Sequence, residues 1–285
     1  MSRLKSFWRP TNGRVRLGVG LLMAALFCIQ CTRSSHAFRS TNGLVTDSVG
    51  PASASQLEEM ARKDPAGLLR RGMEHHRQSY HDYTLTFIKQ EQLPGQLSPG
   101  AEQWMEAKFL DAPFSVALKW TKNAPIGDQV LYVEGKCNNQ MLVKPKGFLN
   151  KLVGTQLREP AGEEAMANTL RPVTLFGFER MMQSLLEVYE RAAQAGDLTH
   201  RFLGYKDVGG RQVMVLERVL PPNKGYPAKS TVWYFDPQWM VPLGMEAADW
   251  NDQVFARYLY KDVKFNVGLT PADFTPEANG IKPPK

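Results

Sequence analysis

The chain has 285 residues, 43% of them hydrophobic and 22% charged, an ordinary globular composition that excludes collagen-like and low-complexity proteins. Its formal net charge of +7 looks like an invitation to nucleic acid, but six of the 35 basic residues lie in the first 37 positions, where there is no acidic residue, leaving 29 against 28 acidic ones. The basic excess belongs to a leader and not to a binding face, so no nucleic-acid partner is expected.

That leader carries Arg3, Lys5, Arg9, Arg14 and Arg16 ahead of an uncharged run, Leu17 to Thr32. Its apolar centre, LLMAALFCI, is shorter than the ~20 residues of a spanning helix and suits a secretory signal. Ser35-His36-Ala37 offers a cleavage site, so 1–37 reads as a signal peptide or retained anchor, and the protein as exported to the periplasm or cell envelope. Lipidation at Cys31 is a second reading, for which Cys28-Ile29-Gln30 is a poor cleavage box. Once the leader is removed, only Cys137 remains, so no internal disulfide can form.

Residues 38–54 are rich in Ser, Thr, Gly and Ala and read as a flexible linker. A short helix over Gln56 to Lys63 precedes Asp64-Pro65, an N-cap followed by proline at the first helical position. Leu69, Gly72, Met73, His76 and Tyr80 then share one helical face. Strands follow. Asp82 to Gln92 places Tyr83, Leu85 and Phe87 on one side, and a second strand lies near Trp104 to Leu110. In the third, Phe114, Val116, Leu118 and Trp120 alternate with Ser115, Ala117, Lys119 and Thr121, which predicts one dry and one wet face. Val130 to Val133 is apolar on both faces, and Gln140 to Lys144 continues the series. Spacings this short favour an antiparallel meander.

Pro172 and Thr174 open a helix that ends at Gly196, with an apolar stripe of Phe178, Met181, Met182, Leu185 and Tyr189. Arg201 to Val208 and Arg211 to Leu220 flank Gly209-Gly210 as a hairpin. Ser230 to Phe235, Met240 to Trp250 and Val254 to Phe265 complete about ten strands. Strands dry on both faces need cover on both sides. The fold class expected is therefore α+β: a strongly curved antiparallel sheet, a half-open β-barrel, with helices packed on or in its concave side. It forms a single domain over 55–275, followed by a flexible tail over 276–285.

No nucleophile elbow, phosphate loop, zinc-protease helix or dinucleotide fingerprint is present, so no catalytic residue and no cofactor is assigned. His75 and His76 are adjacent, which in a helix points them apart, and no metal site is assigned to them. Leu118, Trp120, Tyr132 and Trp233 are the candidates for lining an apolar ligand, with plain core packing as the alternative. Between Lys144 and Arg158, the residues Lys146, Phe148, Leu149, Lys151 and Leu152 mix basic and apolar chemistry. They suit contact with a membrane surface or partner, or a loop laid over the barrel mouth with its lysines reaching outward.

Five stretches carry a family resemblance: DYTLTFIKQE (82–91), PFSVALKW (113–120), VLYVEGK (130–136), EPAGEEAMA (159–167) with RPVT (171–174), and YKDVKFNVGLTPADF (260–274). They resemble an exported bacterial family, domain-of-unknown-function family fifteen-seventy-one, whose element order is similar to the periplasmic lipoprotein-carrier and lipoprotein-sensor fold. The family has no established activity; export, the strands dry on both faces and this resemblance together lead to the expectation of a non-enzymatic binding protein for a lipid, acyl chain or lipoprotein. The alternative is a structural or protein-interaction module of the envelope with a filled barrel.

Overall fold

The computed structural model describes residues 53–282. The leader, the Cys31 reading and the linker as far as residue 52 lie outside them. The linker's last two positions are already structural: Ser53 caps α1 (Ala54–Lys63) in a reciprocal box with Gln56. Asp64 then accepts from the Gly67 N–H at 2.8 Å and caps α2 (Pro65–Ser79), as the Asp-Pro pair predicts. Leu68, Leu69, Gly72, Met73 and His76 are its buried face. Gly72 is fixed by close approach: a Cβ there would stand 2.8 Å from the Met240 carbonyl and 2.9 Å from the Met182 sulfur.

Eleven strands form one antiparallel sheet. In chain order they are β1 (Asp82–Glu91), β2 (Gln103–Leu110), β3 (Ser115–Lys122), β4 (Gly127–Val133), β5 (Met141–Pro145), β6 (Gln156–Arg158), β7 (Thr199–Val208), β8 (Arg211–Val219), β9 (Ser230–Asp236), β10 (Val241–Ala248) and β11 (Val254–Phe265). The first six step outward from the centre and the last five step back to it, where β1 pairs with β11. The edges β6 and β7 do not meet, so the sheet is an open half-barrel. The strand beyond the expected ten is β6. It lies in the 144–158 segment, together with the short helix α3 (Phe148–Val153).

Two further short pieces, α4 (Glu163–Met166) and a 3-10 turn at Val173–Leu175, lead to α5 (Phe178–Gln194). The sequence predicts one helix from Pro172 to Gly196, but the chain is extended at Phe176 and turns at Gly177, whose φ is +105°. A Cβ at Gly177 would sit 2.7 Å from the Tyr83 hydroxyl, which accepts the Phe178 N–H, so helix start and sheet are locked together here. The expected stripe Phe178, Met181, Met182, Leu185 and Tyr189 is buried.

The second face of the sheet also departs from expectation. Ser115 and Ala117 are buried, not wet. Ala117, Leu131 and Leu142 pack against Phe274 and Ile281, from the segment expected to end the domain and begin a flexible tail. Residues 276–282 are thus part of the fold, because the back of β3–β5 needs an apolar cover that the helices on the other face cannot supply.

Candidate ligand cavity

On the helix-bearing face, odd-numbered β1 residues continue from Tyr83 and Phe87 to Lys89 and Glu91. Their antiparallel neighbours fall into register beside them: Phe87 opposite Met105 and Tyr260, and Lys89 opposite Tyr258. Further out, Leu118 pairs with Ala107 and Val130, and Trp120 with Met105. Above this surface the cover is thin, comprising α3, the stretch from Pro160 to Phe176 and Met181 at the start of α5. Between floor and cover lies a cavity of about 630 Å³, within the ~300–1,000 Å³ of small-molecule sites.

Its wall is mostly apolar, with Arg171, Gln156, Asn168, Thr169 and two ion pairs as polar exceptions. Arg158 and Glu164 pair across the cover. Lys89 and Glu91 pair at 2.9 Å, with side chains only 7% and 4% exposed. Lys89 also donates to the Thr169 hydroxyl at 3.0 Å, and Tyr258 donates to Glu91 at 2.5 Å. Burial first, and then the Glu91 charge, hold the Tyr258 hydroxyl well above the usual tyrosine range, so it stays a donor. Burial pushes its neighbour Tyr260 up to about 12. Arg171 donates to the Leu175 carbonyl at 3.1 Å.

The four ligand-lining candidates separate. Leu118 and Trp120 are on the cavity wall, and the Trp120 N–H donates to Gln103 at 2.8 Å. Tyr132 is buried beside the Phe114 ring, 5.9 Å away, and is not in the wall. Trp233 is fully buried under α5 on β9, donating to the Tyr189 hydroxyl at 3.1 Å. Both are core because well-formed packing already covers them.

In the mixed segment Leu149 and Val153 line the cavity, while Phe148 and Leu152 are 76% and 67% exposed. Ile126, across the opening, both lines the cavity and is 61% exposed. Lys146 and Lys151 are exposed on the same rim. The segment thus carries both cavity-lining and exposed apolar residues.

Lys89, Glu91, Thr169 and Tyr258 were not legible as a site. The signal lay in β1, where the apolar parity that yields Tyr83, Leu85 and Phe87 runs straight on into two charged residues. His76 is buried among Tyr80, Tyr83 and Phe178, away from the cavity wall.

The sequence model of a family described as "Protein of unknown function (DUF1571)" matches residues 80–281. The chain belongs to that family. Within this DUF1571 chain, the matched region takes in every strand and the C-terminal cover. A comparison with curated proteins found no match.

Among solved structures, MucB in the Pseudomonas aeruginosa MucA/MucB complex is similar at 14% identity, covering 76% of this chain and 62% of that one, with a TM-score of 0.46. The alignment thus spans less than two thirds of MucB. The Mycobacterium tuberculosis lipoprotein LppX is 12% identical over 73% of this chain and 98% of its own, with a TM-score of 0.41. A putative outer membrane lipoprotein-sorting protein domain from Vibrio parahaemolyticus is 14% identical, covering 74% and 99%, with a TM-score of 0.35. These likenesses concern fold alone. Among the described residues no helix is long and apolar enough to cross a membrane.

Proposed function

We propose that this DUF1571 chain is an exported, non-enzymatic binding protein of the cell envelope that takes the apolar part of a lipid, an acyl chain or an acylated protein into the half-barrel. The observation that carries this reading is the cavity of about 630 Å³ between β1–β5, β11 and the thin cover. Removing apolar ligand surface from water contributes roughly 25 cal/mol per Å², before the cost of association. Leu118 and Trp120 are then contacts of the chain, while Tyr132 and Trp233 support the scaffold. The leader sequence supports export.

The rim supports a membrane route to the site. Phe148, Leu149 and Leu152 can enter the interfacial layer while Lys146 and Lys151 meet anionic headgroups. The reading of a filled structural module fits only the other half of the sheet, where Trp233 lies.

The test is native mass spectrometry of the full chain purified from envelopes, with displacement of a pyrene-labelled dodecanoyl probe as readout. Val130→Phe fills the cavity, so it should abolish probe binding while changing stability by no more than ~1–3 kcal/mol. A wild-type chain that carries no lipid and ignores the probe sinks the proposal.

A further inference from the structure

An ion pair is an expensive thing to place in an apolar cavity, and Lys89 and Glu91 are nearly out of water. Replacing both with hydrophobic residues of similar volume is often neutral or stabilising, so scaffold duty does not by itself account for them. Their hydrogen bonding is nearly complete but not quite. Both Glu91 oxygens are engaged, one by Tyr258 at 2.5 Å and the other by Lys89 at 2.9 Å. An ammonium has three N–H donors, and Lys89 uses one on Glu91 and one on Thr169. Among the described residues no third acceptor is within reach of its Nζ, although the side chain is buried and lines the cavity.

A ligand oxygen is the natural acceptor for that third donor. Its charge is constrained by what is already there. Glu91 neutralises Lys89, and a second carboxylate accepting from the same Nζ would crowd a like charge against Glu91 in a site with little water to screen it. Arg171 also lines this wall, one of its terminal nitrogens donating to the Leu175 carbonyl and the Ser184 hydroxyl, but the charge in direct contact with Lys89 is that of Glu91. A neutral carbonyl satisfies the donor without the repulsion.

We propose that Lys89, held by Glu91, Thr169 and Tyr258, is the recognition site for a neutral carbonyl oxygen, an ester or amide on the ligand's acyl chain, and not for a free carboxylate. The inference rests on the cavity being the ligand site and says which end of the ligand goes where. The acyl linkage sits at the β1–β11 wall, and the hydrocarbon runs along Leu118 and Trp120 toward the α3 rim.

The experiment is competition by decane, methyl decanoate and decanoate against the pyrene-labelled dodecanoyl probe, on the full chain at pH 8. An apolar wall alone ranks decane first, because the ester must give up water to enter. The proposal expects the reverse: methyl decanoate about tenfold or more ahead of both others, the scale of one hydrogen bond to a charged donor. In Lys89→Met/Glu91→Leu that preference should collapse to within about twofold while decane still competes. Decanoate ranking first, decane ranking first, or an ester preference that survives the double substitution each overturns it. If the probe binds but the ranking fails, only the carbonyl assignment falls; if nothing binds, the cavity reading falls with it. The wild-type ranking needs no variant, so a double mutant that does not fold leaves the test standing.

Discussion

Strands β7–β10 face α1, α2 and α5, helices of 10, 15 and 17 residues, whereas β1–β5 face mainly α3 and α4, of 6 and 4 residues, and the irregular chain between them. Both halves present large apolar side chains. What differs is the length of amphipathic helix available to cover them. A 17-residue helix runs ~25 Å and lays a continuous stripe across several strands, while a six-residue helix runs ~9 Å and covers little more than one. The packed half is closed by a chain of hydrogen bonds that ties four elements together. Trp233 on β9 donates to Tyr189 on α5 at 3.1 Å; Tyr189 donates to His200 on β7 at 3.3 Å; and His200 donates to the Ala61 carbonyl on α1 at 2.6 Å. Burial pushes Tyr189 up to about 12, which keeps it a donor. In the other half the corresponding volume is cavity.

The sharpest way to break this contrast is truncation. Trp233→Ala deletes a fully buried indole and leaves the Tyr189 hydroxyl oxygen without its donor, and should cost about 3–5 kcal/mol in urea unfolding. Leu118→Ala faces space that already exists, so it should cost only about 1–2 kcal/mol while weakening probe binding several-fold. Equal losses of stability at the two sites would mean that the cavity half is packed core after all.

Acid probes the seam between the halves. Both ring nitrogens of His76 lack a hydrogen-bond partner among the described residues, and burial holds its pKa down to about 4, with His75, Arg77 and His81 adding and Glu179 opposing. Its unfolded value is near 6.5, so the unfolded chain binds the proton first. The stability that neutral His76 contributes is complete above pH 6.5 and is lost as pH falls toward 4, to a total of roughly 3 kcal/mol. His76→Phe should flatten that part of the pH profile. An unchanged slope between pH 6.5 and 4 would assign the acid sensitivity elsewhere.

The contrast also explains what could be read in advance. The positions of most strands, the α2 and α5 stripes and the two-sided dryness of Val130 to Val133 follow from periodicity, because each is a local pattern, whereas the β1–β11 pairing at the centre of the sheet is not. Which dry face meets a helix and which meets a cavity depends on cover from distant sequence. Leu131 is covered by Phe274 and Ile281 more than 140 residues later, and no local pattern announces that. The same limit separated Trp120 from Trp233, two tryptophans in similar strands with opposite surroundings. Lys89 and Glu91 stood in plain sight on the right parity, but charge at strand positions ordinarily signals solvent.

The rim gives the smallest effect on stability and the clearest separation of roles. Phe148 and Leu152 are largely exposed, so Phe148→Ser with Leu152→Ser should move unfolding free energy by no more than ~0.5 kcal/mol. If the rim meets a bilayer, the same pair should abolish sedimentation of the chain with phosphatidylglycerol vesicles, and Lys146→Gln with Lys151→Gln should weaken it and remove its salt dependence. Leu149 and Val153 line the cavity from the same helix, so a rim seated in the interface would place the opening against the acyl layer, and probe exchange with vesicles should slow along with binding. Vesicle binding that survives both pairs would leave Phe148 and Leu152 as exposed cover of a cavity filled from solution, a device of the thin half alone.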